Sequence, residues 1–254
     1  MSKFEPAQSV EAHCREIERC NQRGGRMLSI VDLLDAGTFT MDMAAHCVAA
    51  VSSGHSFLVG AGPGGAGKTT VMGALLNFVP PDLKLEAATP QAVLHAGGLR
   101  RCWVCHEIGP GNYFAYLWGE PLRVWFRLAR SGSLLASNLH ADTMADVEYR
   151  IVGENSVPGE DLRRIGLIVF LAVRPGLRGY ERRLTEVHET DGSADHALLW
   201  SSALGHVGPS RVVTSEQARW AEDLLKDMRR RGLRTIQEVR RAFLEAWEHR
   251  PLSG

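Results

Sequence analysis

The chain has 254 residues, of which 44% are hydrophobic, and it carries 29 basic and 29 acidic side chains. This composition is typical of a globular protein, and the balanced charge excludes an overall field that draws the molecule to nucleic acid or to an anionic membrane. Residues 1–5 lack the apolar core of a signal peptide, and the longest apolar run, residues 165–173, is too short to span a bilayer. We therefore expect a cytoplasmic protein.

Three helices are predicted before the first strand. Gly37 ends the second of them, and Thr40 is a suitable N-cap for the third. The predicted helices occupy residues 1–25, 28–34 and 41–51.

Residues 62–69 read Gly-Pro-Gly-Gly-Ala-Gly-Lys-Thr and fit the Walker A pattern. Its small residues let successive backbone N–H groups curl around a phosphate. A buried strand at 56–59 precedes the loop and a helix at 70–78 follows it, so the phosphate would lie at the positive end of that helix. The alternative is a glycine-rich surface turn that binds nothing. The predicted nucleotide-binding residues are Gly62, Gly64, Gly65, Gly67, Lys68, Thr69 and Thr70.

Strands and helices alternate after the loop. This order predicts an α/β fold with a mainly parallel sheet that holds the nucleotide at its strand C-termini. We divide the chain into a helical lead-in (1–50), a nucleotide-binding core (51–205) and a C-terminal helical segment (206–254). The predicted strands occupy residues 84–88, 101–108, 133–139, 166–173, 182–188 and 198–200, and the predicted helices 121–129, 143–152 and 215–248. The fourth and fifth of these strands are predicted to flank a turn at Pro175 and Gly176.

Two polar side chains end predicted strands downstream of the loop. Glu107 is at the position of a Walker B acid, which holds the Mg²⁺ shell or orients the attacking water. His140 would face the γ-phosphate, where it can sense the phosphate and move its helix after hydrolysis. The alternatives are a solvent-facing carboxylate for Glu107, and for His140 a structural histidine or a helix N-cap region that uses Asp142.

Cys102 and Cys105 form a CxxC motif on the strand that ends at Glu107. Since no second CxxC completes a zinc site, we favour small buried strand residues over a metal or redox role.

In this order, the segments resemble the type II/IV secretion and type IV pilus motor ATPases, a family of P-loop NTPases. The histidine box, usually Thr-Leu-His-Ala in that family, reads Asn-Leu-His-Ala here, and the resemblance spans roughly residues 28–190. The segments that carry it are the lead-in helix and turn (28–38), the Walker A loop with its helix and Pro-Pro exit (60–81), the histidine box (133–142) and the closing hairpin (167–187, with Arg178).

The resemblance implies a RecA-like core that assembles into a homo-oligomer, usually a hexameric ring, and binds ATP and Mg²⁺ between neighbours. Hydrolysis would drive a secretion or pilus platform protein, with the ATPase at the inner face of the cytoplasmic membrane. By this resemblance Lys68 and Thr69 hold phosphate and Mg²⁺, and Glu107 is the Walker B acid, which binds Mg²⁺ directly or through water. Lys68, Glu107 and His140 are then the expected catalytic residues.

Two of the chain's departures from the family bear on its activity. The family's acidic box, Glu-Asp-Thr-x-Glu, usually supplies the acid that acts on the attacking water. Residues 86–91 read Glu-Ala-Ala-Thr-Pro-Gln here, so alanines replace the two leading acids and Glu86 lies one place off. Only a few predicted helices precede the core, where family members have a large N-terminal domain. An alternative function is therefore a nucleotide-binding switch subunit with little hydrolysis.

A second alternative is a nucleic-acid-dependent RecA-like ATPase. Its support is the arginine-rich stretches 229–231 and 240–241 and the aromatic insertion 111–118. The neutral overall charge counts against it, so we expect no nucleic-acid partner. We interpret the arginines as a solvated helix face and the insertion as local packing.

Overall fold

A computed structural model describes residues 8–21, 24–62, 64–176 and 179–251. Residues 1–7 of the predicted first helix, Pro63 of the loop, Arg178 of the hairpin and the last three residues of the C-terminal segment lie outside the described residues.

The helices alternate with the strands of one sheet. The helices are α1 Val10–Arg19, α2 Ile30–Asp35, α3 Met41–Ser52, α4 Lys68–Leu76, α5 Pro90–Leu94, α6 Glu120–Leu128, α7 Met144–Glu148, α8 Gly159–Leu162, α9 Ser215–Arg230 and α10 Ile236–Trp247. A 3₁₀ turn, Ala129–Ser131, follows α6, and a π-helical turn, Tyr149–Glu154, follows α7. The strands are β1 Phe57–Gly60, β2 Leu85–Ala87, β3 Cys102–Ile108, β4 Tyr116–Leu117, β5 Leu134–Leu139, β6 Leu167–Gly176, β7 Gly179–Glu189, β8 Ala197–Ser201 and β9 Gly205–His206.

The strands of the described chain form one sheet in the order β2-β3-β5-β1-β6-β7-β8-β9, and β4 pairs with β3. Strands β2, β3, β5, β1 and β6 run parallel to their neighbours, while β7, β8 and β9 add antiparallel pairs at one side. Strand β1 lies between β5 and β6 and pairs with both along its whole length. The predicted α/β class with a mainly parallel sheet is therefore confirmed.

Helices cover both faces of this sheet. Phe57 and Val59 of β1 are fully buried against the cluster formed by α1–α4, α9 and α10, whereas Leu58 is buried in the cluster formed by α5–α8. This follows from the two-residue period of a strand, since alternate side chains point to opposite faces. The lead-in and C-terminal helices thus share one layer, and α9 packs on α3. The division at residues 50 and 205 stays a prediction.

Some predicted elements differ from the structure. The turn placed at Pro175 and Gly176 is wrong, because both residues belong to β6 and pair with Tyr180 and Gly179 of β7. The predicted helix 143–152 ends as an α-helix at Glu148. Four further elements, β4, β9, α5 and α8, were not predicted because they are too short to show a period in the sequence. None of the described helices has the length and hydropathy needed for a bilayer span.

Arg240 contradicts the interpretation of the C-terminal arginines as solvated. It is 3% exposed, and its Nη1 donates to the carbonyl oxygens of Asn77 (2.8 Å) and Val79 (2.6 Å), just beyond α4. Burial lowers its pKa to about 10, so it remains charged at neutral pH. Ile236 and Phe243, three to four residues away on the same face of α10, are also buried, so helical periodicity could have indicated its burial.

We expect Arg240→Met to lower the free energy of unfolding by about 2–3 kcal/mol, because it leaves buried carbonyl groups without donors. Arg241→Met is the matched control: Arg241 is exposed and pairs with Glu11 at the surface, so its loss should cost no more than about 0.5 kcal/mol. Urea denaturation of the three proteins measures both effects. Equal stability of the two variants would contradict the role given to Arg240.

Candidate functional site

A cavity of about 520 Å³ lies over the glycine-rich loop, at the C-terminal edge of the parallel strands. Six of the seven predicted nucleotide-binding residues line it, and Gly62 lies behind them. The opposite wall comes from the lead-in segment and from the β6–β7 hairpin. The lining residues that the site uses are Gly64, Gly65, Gly67, Lys68, Thr69, Thr70, His106, Glu107, His140 and Arg182.

The loop ends in a helix N-terminus that faces this cavity. Gly67 precedes α4 with φ 93°, in the left-handed region that favours glycine. The first turn of α4 carries backbone N–H groups without helical partners, and the helix dipole makes this end positive. The arrangement is the usual anion site of a helix N-terminus, here on a helix of nine residues.

The loop is held at its first glycine by the histidine box. The Gly62 N–H donates to Oδ1 of Asp142 (2.6 Å), and the Gly62 carbonyl accepts from Nδ1 of His140 (2.9 Å). This hydrogen bond requires the tautomer in which Nδ1 carries the ring proton. A Cβ on Gly62 would lie 2.1 Å from Oδ2 of Asp142, so any other residue there would displace this carboxylate from the Gly62 N–H. The N-cap of α7 is Thr143. Asp142 takes part in this region through its N–H, which donates to Asp146, while its carboxylate accepts from Gly62.

The three expected catalytic residues meet in this cavity. Lys68 is 7% exposed and its Nζ donates to the carbonyl of Ala61 (3.2 Å). The same Nζ lies 3.3 Å from Nδ1 of His140 and 3.9 Å from Oε2 of Glu107. His140 Nε2 lies 4.0 Å from that carboxylate oxygen, and the His140 side chain is 45% exposed. Three parts of the chain thus bring one ammonium, one carboxylate and one imidazole together.

Glu107 is a buried carboxylate. It is 7% exposed, and its Oε1 has no hydrogen-bond partner among the described residues. Burial raises its pKa, and the neighbouring Lys68 and His140 side chains partly oppose this rise. An orphaned carboxylate oxygen that lines the same cavity as the Thr69 hydroxyl fits Mg²⁺, which prefers oxygen ligands and completes its shell with phosphate and water. Thr69 and Glu107 are therefore the residues that would hold this ion.

A bulge in β3 puts Glu107 into the cavity. Between the pairs Cys105–Ser137 and Ile108–Leu139, two β3 residues, His106 and Glu107, oppose the single β5 residue Asn138. Asn138 is fully buried; its Nδ2 donates to the His106 carbonyl (2.8 Å) and lies 3.4 Å from Oγ1 of Thr69. The Asn138 amide therefore donates to the carbonyl that the bulge leaves unpaired and links it to the Thr69 hydroxyl.

Glu86, the acid nearest to the degenerate acidic box, lies outside this site. Its side chain is 42% exposed, and Oε2 accepts from Nε of Arg101 (3.3 Å). The following Thr-Pro pair begins a helix instead: Thr89 caps α5 by accepting from the Ala92 N–H. Residues 86–91, which stand where the family has its acidic box, therefore contain the start of α5 in this chain.

The aromatic insertion packs beside Glu107. Tyr116 in β4 pairs with Glu107 in β3 and contacts the ring of Tyr113 at 5.0 Å between centroids. The Phe114 ring contacts His106 (5.3 Å) and lies under the Arg19 guanidinium (4.7 Å). These contacts support the interpretation as local packing, although Tyr113 and Phe114 are also exposed.

The CxxC cysteines are buried strand residues. Cys102 and Cys105 are both fully buried and free. Burial raises the pKa of Cys105 to about 12, so this thiol stays protonated at neutral pH. This supports the interpretation as packing residues.

Sequence reasoning missed three site residues. Asp142 and Asn138 lie in the histidine box, but the sequence does not show that they contact Gly62 and the His106 carbonyl. Arg182 had no signal at all: it is 117 residues from Gly65, whose carbonyl accepts from its Nε at 2.9 Å. Such a contact depends on how the hairpin folds over the loop.

No protein-family model matches the chain, and comparison with curated protein sequences finds no significant match. Among solved structures, it is similar to the VirB11 ATPase of the Brucella suis type IV secretion system in complex with sulphate, with 19% identity, 74% of this chain and 64% of that chain covered, and a TM-score of 0.40. It is also similar to the Legionella pneumophila ATPase DotB, with 13% identity, 84% and 59% covered, and a TM-score of 0.41. The chain therefore covers 64% and 59% of these two structures' lengths.

We expect Glu107→Gln to stabilise the nucleotide-free protein at pH 8 and to lose this advantage at pH 4. The pKa of Glu107 is raised above its ordinary value of 4.5, so its contribution to stability is fully present below that value and is lost as the pH rises through the folded-state pKa. Glutamine stays neutral throughout. Urea denaturation at both pH values measures the difference.

Glu86→Gln is the control, because Glu86 is solvent-exposed and should show no comparable gain at pH 8. A Glu107→Gln variant less stable than the wild type at pH 8 would contradict the desolvation of Glu107.

Proposed function

We propose that the chain binds ATP with Mg²⁺ and hydrolyses it, as a motor-type ATPase subunit of a secretion or type IV pilus-like system. The observation that supports this best is the meeting of Lys68, Glu107 and His140 beside the N-terminus of α4, within 4.0 Å of one another. A lysine, a carboxylate and backbone N–H groups at a helix N-terminus are the elements that P-loop ATPases use for phosphoryl transfer.

Each residue of the site has a role that follows from its chemistry. The loop N–H groups and Lys68 bind the phosphate oxygens, and Thr69 and Glu107 hold Mg²⁺, which neutralises phosphate charge when it is bound. Glu107 is also the residue to orient the attacking water, since its Oε1 has no hydrogen-bond partner among the described residues. Its burial keeps bulk water away from it.

His140 is the residue that connects the γ-phosphate to the loop. Its Nδ1 donates to Gly62, while Nε2 faces Glu107. If the His140 ring turns toward a phosphate oxygen, its hydrogen bond to the Gly62 carbonyl breaks. When the phosphate leaves, this bond can form again, and the change is transmitted to the loop and to β5.

A second candidate is a nucleotide-binding switch subunit with little hydrolysis. The observation that favours it is the position of Glu86, whose carboxylate is paired with Arg101 away from the cavity. Among the described residues lining the cavity, Glu107 and Glu181 are the carboxylates, and Glu181 is paired with Arg183. The two candidates share nucleotide binding and differ only in turnover.

The proposed assembly follows from the family resemblance. The chain would act at the inner face of the cytoplasmic membrane as a homo-oligomer, a hexameric ring, with a membrane platform protein of the secretion or pilus system as its partner.

We expect Lys68→Ala to weaken ATP binding at least about tenfold, because it removes a charge-assisted contact. Glu107→Gln should keep ATP binding and lower turnover by about 10²- to 10⁴-fold. Glu86→Gln is the control and should change neither, since Glu86 does not face the cavity. Calorimetric titration with ATP and phosphate release measure the two quantities.

Full turnover in both Lys68→Ala and Glu107→Gln would refute the proposed ATPase. Tight ATP binding by the wild type with negligible turnover, also in the presence of membranes, would establish the second candidate instead.

Assembly is expected to depend on nucleotide. The wild type should show a higher solution mass with ATP and Mg²⁺ than without, whereas Lys68→Ala should show the same mass in both conditions. Light scattering after size exclusion measures the mass. A mass that stays that of a monomer at high protein and ATP concentration would contradict the ring.

A further inference from the structure

The β6–β7 hairpin extends past the end of β1 and over the phosphate loop. Gly60, the last residue of β1, pairs with Phe170, and β6 continues through residues 171–176 in the same direction. At about 3.3 Å per residue, this extension is roughly 20 Å long. The hairpin therefore projects from the sheet edge at which the loop and Glu107 lie.

Arg182 is the hairpin residue that contacts the loop. Its Nε donates to the carbonyl of Gly65 (2.9 Å), and a Cβ on Gly67 would lie 3.1 Å from its Cδ. The stem of Arg182 thus lies against the loop, and its side chain lines the cavity. Gly67 adopts a positive φ that favours glycine, and its lack of a side chain leaves room for this close approach.

The next residue, Arg183, has a different role. Consecutive strand residues point to opposite faces of the sheet. Arg183 donates to the carbonyl of Gly37, in the turn after α2, and pairs with Glu181 at 2.8 Å. Its charge is therefore already balanced.

Arg182 has no such partner. Among the described residues it forms no ion pair, and its one hydrogen bond uses Nε alone. A guanidinium has five N–H donors in a planar fork that matches phosphate oxygens. The four Nη donors of Arg182 are thus available in a cavity where the charge of Lys68 is partly balanced by Glu107. A polyanion bound there needs further positive charge.

The geometry points to Arg182 as a phosphate-binding residue supplied from within the same chain. It holds the loop through Nε and binds phosphate oxygens of the nucleotide through its Nη groups. This assignment rests on the proposed nucleotide binding and adds a residue to it. An arginine that acts in this way binds the triphosphate more strongly than nucleotides with fewer phosphates.

The test compares Arg182→Ala with Arg183→Ala, two exposed neighbours on one strand. Binding of ATP, ADP and AMP in the presence of Mg²⁺ is measured for both variants, for Lys68→Ala and for the wild type. Arg182→Ala should weaken ATP binding about 10- to 100-fold, ADP binding less and AMP binding least. Arg183→Ala should stay within about twofold of the wild type for all three.

An ATP affinity within about twofold of the wild type in Arg182→Ala would overturn the assignment. So would an equal loss in both arginine variants, which would show a general effect of the hairpin, or an equal loss for ATP and AMP, which would show an effect on loop structure. Arg182→Lys adds a further readout: it keeps the charge and loses the fork, so it should recover part of the ATP affinity. A wild type that binds none of the three nucleotides would remove the proposed function itself, and this assignment with it.

Discussion

The rest of the site depends on the two hydrogen bonds that join His140 and Asp142 to the backbone of Gly62. One hydrogen bond uses the Gly62 N–H and the other its carbonyl, so the first glycine of the loop is held on both sides by the end of β5. Strands β1 and β5 are already neighbours in the sheet. Together these contacts set where the loop starts, and the start of the loop decides where Lys68 and the N–H groups of α4 lie. The same imidazole that holds the loop lies beside Lys68 and Glu107, so it connects the loop to the candidate phosphate site.

Helix α4 is also held at its other end. Arg240 donates to the carbonyls of Asn77 and Val79, and His13 contacts the carbonyl of Leu76 at 3.0 Å. A buried cation at the C-terminal end of α4 matches the helix dipole, as a phosphate would at the N-terminal end. The helices α1 and α10, which supply these side chains, therefore support the phosphate site although neither lines its loop. Burial of Glu107 has the opposite effect, because removing a carboxylate from water lowers the stability of the folded protein.

The sequence predicted most of the regular elements, because the helices and strands of the core are long enough to show their periods and end at glycine, proline or an N-cap such as Thr40. It also predicted that Lys68, Glu107 and His140 would meet, since parallel strands end at one edge of the sheet. It failed where a residue acts through a contact distant in the chain. Asn138 donates to a carbonyl at a β-bulge, and residue spacing does not predict a bulge. Arg182 contacts the loop from the β6–β7 hairpin. Arg240 lies in an arginine-rich stretch but is buried.

What the sequence determined by itself is local chemistry and order. The glycines of the loop permit close approach to a phosphate, the lysine and threonine after them suit phosphate and Mg²⁺, and alternating strands and helices dictate a parallel sheet. Only the tertiary structure decided which polar groups face one another. In the folded chain Glu86 pairs with Arg101, a bulge in β3 places Glu107 in the cavity, and Arg182 donates to the Gly65 carbonyl. The physical reason is the range of each effect. Hydrophobic periodicity and small residues determine local structure within a few positions of the chain. The partner of a buried or charged side chain depends instead on strand order, register and hairpin length.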